Sequence, residues 1–201
     1  MDEKEKELSQ ERQRLDEEKQ KNRVLIDSAR KLGLIRVVSL LNRDFDQQCR
    51  DYSEAKKQIY IIAVAGSRIL DRNYRGGNPI PDTIQKLLND GVSINLMMYS
   101  SGIVPDSVRK GVDVATINKN LAIAKKLSAG HTNFKVKQLD KMPPFHGDLI
   151  DFNKAHIFPI RLDGGIHATK DPNLESYTGE GERMSNIIND FEHLWKNARS
   201  V

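Results

Sequence analysis

The residues best placed to do chemistry lie in Phe145-His-Gly-Asp-Leu-Ile-Asp-Phe-Asn153, where a histidine stands two positions before an acid and seven before an asparagine. Near neutral pH an imidazole can attack an electrophile or carry a proton. His146, Asp148, Asp151 and His156 fall within eleven positions and offer nitrogen and carboxylate ligands of the kind that suit Zn or Mn. In a strand, however, Asp148 shares a face with His146 and Ile150 while Asp151 points to the other side. The four are therefore not expected to converge, and the expectation is no metal and no other cofactor. A second candidate is Gly66-Ser67-Arg68 with Arg72 and Arg75 behind it. Guanidinium forks grip anions, and the turn after a buried strand is where open α/β sheets place ligands. Gly76 and Gly77 would let such a loop move. A solvated basic loop is the competing account.

These groups need elements to hold them. Ile59-Tyr-Ile-Ile-Ala-Val-Ala65 is apolar on both faces and β-branched, as a central strand covered by helices must be. A helix is expected before it over 46–58, because Cys49, Tyr52, Ser53 and Lys56 recur at three- and four-residue spacings. After it, 66–81 reads as a basic loop rich in Gly and Pro, and Asp82 as the N-cap of a helix over 83–89 closed by Gly91. A second buried strand follows over 92–98. Then come a helix over 113–129 with Ile117, Leu121, Ala124 and Leu127 on one face, and a half-wet strand over 134–139, nearer an edge. Segments 148–152 and 155–160 read as a hairpin about Asn153-Lys154, 164–172 as loop and 174–177 as a short strand. Met184, Ile187, Ile188, Phe191, Leu194, Trp195 and Ala198 form one continuous helical stripe, which makes Phe191 and Trp195 core residues. The alternation predicts an α/β fold, a mixed β-sheet flanked by helices.

Ahead of this domain, residues 2–30 hold no Gly or Pro and are dominated by Glu, Lys, Gln and Arg, which predicts a long charged helix. Leu8, Leu15, Asn22 and Ala29 recur every seven residues beside mostly charged positions, half of a coiled-coil seam. The boundaries read are 1–32 for the helix, a candidate for self-association, and 33–201 for the domain. The segment 24–41 is more apolar and is expected to dock on the domain.

The 32 basic and 28 acidic side chains leave a charge of +4, too slight to imply nucleic acid without clustering. A single cysteine, Cys49, excludes an intrachain disulfide and fits a reducing compartment. No apolar run approaches the roughly 20 residues that span a bilayer, and Met1-Asp-Glu-Lys4 opens no secretory signal. A cytoplasmic location and no membrane partner are expected.

The order of segments also resembles a known family. Ala55-Lys-Lys-Gln-Ile-Tyr-Ile-Ile-Ala-Val-Ala-Gly-Ser67, the helix closing in Leu87-Leu-Asn-Asp-Gly91, and Val92-Ser-Ile-Asn-Leu-Met-Met98 resemble the first half of a phospholipase D-like domain. Ile187-Ile-Asn-Asp-Phe-Glu-His-Leu-Trp-Lys-Asn-Ala198 is similar to that superfamily's closing helix. The resemblance implies a strand carrying His-x-Lys and a later Asp, in which the histidine forms a phosphohistidine and the lysine neutralises phosphate oxygens. His146 matches the nucleophile, Asp148 stands where the lysine belongs, and Asn153 stands where the aspartate belongs. The Gly-Ser-x-x-Asn element that should follow is missing from Ile157-Phe-Pro-Ile-Arg-Leu-Asp163.

Replacing the lysine by Asp148 reverses the sign at the phosphate site, and a carboxylate repels what the lysine would hold. The expectation is a degenerate active site: a non-catalytic binding or scaffold domain that self-associates as a homodimer or larger assembly, in bacterial regulation or defence. Its ligand would be an anionic small molecule or nucleic acid, bound through Gly66, Ser67, Arg68, Arg72 and Arg75. The alternative is a phosphodiesterase or nuclease in which a dimer brings two copies of His146 together, with a substitute cation such as Arg161 or Arg68.

Overall fold

The computed structural model describes residues 20, 34–39, 45–103, 114–159, 173–179 and 181–201. Apart from residue 20, the expected helix over 1–32 lies outside them, as do Arg161 and His167. The described elements in chain order are β1 (Leu34–Ser39), α1 (Phe45–Ser53), β2 (Gln58–Ala63), α2 (Ser67–Leu70), α3 (Ile80–Asn89) and β3 (Ser93–Tyr99). They continue with α4 (Val114–Gly130), β4 (Phe134–Leu139), β5 (Phe145–Ile150), β6 (Lys154–Pro159), β7 (Asn173–Thr178), α5 (Glu182–Asn197) and β8 (Arg199–Ser200).

The strands form one eight-stranded sheet in the order β1-β7-β6-β5-β2-β3-β4-β8. Among the described strands, only the β2–β3 and β3–β4 pairs are parallel. Of those strands, β2 and β3 carry the doubly apolar runs, since a central strand crossed over by helices is covered on both sides, while β4 alternates. One face buries Ile59, Ile61, Ile94, Leu96 and Met98 against side chains from α1, α2, α3 and α4. The other buries Ile62, Met97, Tyr99 and Leu149 against Met184, Ile187 and Phe191 of α5, the helix read from its stripe. Trp195 is half-buried beside the same cluster.

Several boundaries move. Residues 34–39 are a strand paired antiparallel with β7, where the sequence suggests only a docked segment. The 66–81 stretch contains α2 and a 3-10 turn over Tyr74–Gly76. Asp82 is not an N-cap: α3 begins two residues earlier, because Pro81 falls in its first turn, where a fixed φ and a missing N–H cost nothing. The hairpin turn is Asp151-Phe152 rather than Asn153-Lys154, with φ of 49° and 60° at those two residues. Asp151 pays for this backbone locally, since its carboxylate accepts the N–H groups of Lys56, Lys57 and Gln58 at 2.6, 2.9 and 2.7 Å.

Candidate functional site

His146 and Asp148 sit on β5 as the alternation requires, Asp148 opposite Ile61 of β2 on one side and His156 of β6 on the other. Between them, Gly147 is a position where a Cβ would run into the carbonyl oxygen of His156, so only glycine lets the two strands approach here. Asp148 is 2% exposed. A carboxylate that deep must be paired or hydrogen-bonded, and it is both. One oxygen meets Nδ1 of His156; the other accepts from the Tyr52 hydroxyl at 3.1 Å and Gln48 Nε2 at 3.4 Å.

Helix α1 supplies those partners. Gln48, Asp51 and Tyr52 stand at i, i+3 and i+4, hence on one helical face, turned onto β5 and β6. Asp51 takes the far side of the imidazole, its Oδ2 lying 3.3 Å from Nε2 of His156. Both ring nitrogens thus face carboxylates, and an imidazole with both N–H groups satisfies both. Asp51 also accepts from Lys154 at 3.2 Å, and Lys154 pairs with Glu54. Burial alone would raise the Asp51 carboxyl, yet the hydrogen bonds and charges of His156 and Lys154 hold it below the ordinary carboxylate value.

At the other end, Gln48 Oε1 accepts from Arg68 Nε at 2.5 Å, so the basic loop is tied to Asp148 through one amide. The remaining loop candidates take separate places. Gly66 is left-handed at φ 68° and packs against Leu70 and Met98. The Ser67 hydroxyl accepts from Asn120 at 2.9 Å, Arg72 pairs with Asp82 at 2.7 Å, and Arg75 lies over the ring of Tyr74. His146 is half-buried with its ring edge-on to Tyr99 at 6.1 Å. The Tyr99 hydroxyl is buried without a hydrogen-bond partner among the described residues, and burial pushes its ionisation well above the usual phenol value. Asn153 is exposed in the turn at the opposite end of β5 from His146.

Of the four residues weighed as metal ligands, the structure brings Asp148 and His156 together, and they bond to each other. Asp151 is spent on backbone N–H groups. Gln48, Asp51 and Tyr52 were missed as partners, although their helical spacing is the same signal that marks the helix.

A mixed sheet with a parallel centre, an antiparallel β5–β6 hairpin bearing the His146 segment and a closing C-terminal helix is a phospholipase D-like fold. Nuc from Salmonella typhimurium, a phospholipase D family member, superposes with a TM-score of 0.52 at 10% identity, over 83% of this chain and 96% of its own. NucT from Helicobacter pylori gives 0.52 at 13%, over 83% and 98%. TrmBL2, an archaeal chromatin protein with a novel mode of DNA binding, gives 0.53 at 13%, over 98% of this chain and 68% of its own. At such identities the likeness is one of fold. No protein-family model and no curated protein matches the sequence.

Proposed function

We propose that this chain is a non-catalytic phospholipase D-like domain that acts by binding and self-association. The observation that carries this reading is the state of Asp148. Two residues after the histidine, where the resemblance calls for a cation facing phosphate, stands a buried carboxylate whose two oxygens are engaged by His156, Tyr52 and Gln48. A phosphodiester brought to this strand would meet the Asp148 carboxylate, while the imidazole beside it is held between Asp148 and Asp51 and Arg68 is bonded to Gln48. The DNA-binding neighbour TrmBL2 supports a binding role, and the resemblance to a family whose active members pair two such halves, of which this chain holds one, supports self-association.

The test is hydrolysis of bis-p-nitrophenyl phosphate and of DNA by the full chain, beside His146→Ala, with mass measured by light scattering. The reading predicts no turnover above buffer and a mass of two or more chains. Turnover that disappears in His146→Ala would install the alternative, a phosphodiesterase or nuclease working through His146.

A further inference from the structure

The loop between β2 and α3 does more than carry charge. Arg68 lies over the ring of Phe45 at 4.6 Å, Phe45 meets Tyr74 edge-on at 6.4 Å, and Arg75 lies over Tyr74 at 5.4 Å. Guanidinium, ring, ring, guanidinium thus follow one another along one surface, with exposed Arg72 on the same loop. The surface is built rather than floppy. Asn78, 5% exposed, donates its amide to the carbonyls of Arg68 and Asp71, both at 2.8 Å, while its N–H closes on Arg72 at 2.9 Å. A preset surface loses little freedom when a ligand lands.

The geometry points to single-stranded nucleic acid as the partner of this surface. Tyr74, backed by the core-packed ring of Phe45 and flanked by guanidinium groups, offers a ring to flat bases and cations to the phosphates beside them. A duplex keeps its base faces inside the stack, where Phe45 and Tyr74 cannot reach them. The net charge of the face is small, since Arg68, Arg72, Arg75 and Lys119 stand against Asp46, Asp71 and Asp82. Stacking therefore supplies most of the affinity, and the salt dependence is shallow. The inference names the partner class of the binding domain proposed above and rests on that reading.

The experiment is fluorescence anisotropy of the full chain with labelled oligo-dT, a duplex and heparin, at about 50 and 200 mM salt, with the strand recovered on a gel afterwards. The single strand should bind at least ~10-fold more tightly than the duplex, and Tyr74→Ala should weaken it by roughly 5- to 100-fold while Tyr74→Phe restores it. Arg75→Gly, which suits the left-handed backbone at φ 55° and so keeps the fold, should weaken binding and lower the salt slope by about 0.7. If Tyr74→Ala does not fold, the Arg75→Gly and duplex comparisons decide alone. No binding at low salt, equal binding of duplex and heparin, or indifference to both variants overturns the inference. A cut strand would sink the non-catalytic reading instead, and leave the surface standing.

Discussion

Asp148 and His156 stand directly opposite one another on β5 and β6, and the imidazole that meets Asp148 through Nδ1 meets Asp51 of α1 through Nε2. One ring thereby fastens a helix to the strand that carries the candidate chemistry. Its removal leaves two carboxylates facing an empty space, with Asp148 fully buried.

His156→Ala is accordingly expected to cost about 3–5 kcal/mol, as breaking a buried charge pair does. Urea unfolding checks this. Asp148→Asn keeps the shape and part of the hydrogen bonding, and is expected to cost less, about 1–3 kcal/mol.

Acid should loosen the same joint. The Asp51 carboxyl titrates below its ordinary value in the fold, so its contribution is fully present above the unfolded value near 3.8 and is lost as pH falls through the lower folded one. Urea midpoints measured from pH 6 downward should drop across that window, and Asp51→Asn should flatten the drop. Lys154, raised by Glu54 and Asp51 against the opposing effect of burial, contributes at the alkaline end. Its share is complete below about 10.5 and is lost as pH rises through the higher folded value.

Gly147→Ala should be among the most damaging small changes in the chain, because the added methyl meets the carbonyl of His156 rather than a movable side chain. A loss of about 3 kcal/mol is expected, read by thermal unfolding.

At the hairpin, Asp151→Ala removes the acceptor of three backbone N–H groups and should cost about 2 kcal/mol. Asp151→Asn keeps a side-chain acceptor and tolerates the positive φ, so it should recover part of the loss. Denaturant midpoints of the pair measure this.

Much of the fold was legible because burial on two faces leaves doubly apolar runs, as in Ile59–Ile62 and Ile94–Met98, and burial on one face leaves a stripe, as in α5. The turn at Asp151-Phe152 was not legible. Asp151 tolerates a left-handed backbone but Phe152 does not favour one, and what holds the turn is a bond to N–H groups more than ninety residues away. For the site, the spacing singled out Asp148 beside His146, while the partners of that carboxylate could not be read. Gln48 and Tyr52 reach Asp148 across 100 and 96 positions, separations that no local pattern encodes. Arg68 looked like a free grip for an anion and turns out to be bonded to Gln48.

The account turns on His156 holding the carboxylate of the motif strand inside the fold. Side-chain NMR of the five histidines at neutral pH tests this most directly. One imidazole should show two hydrogen-bonded ring N–H protons slow to exchange with water, and both signals should vanish in His156→Ala. Five rings that all exchange freely would mean that Asp148 is open to ligands, and would contradict the account.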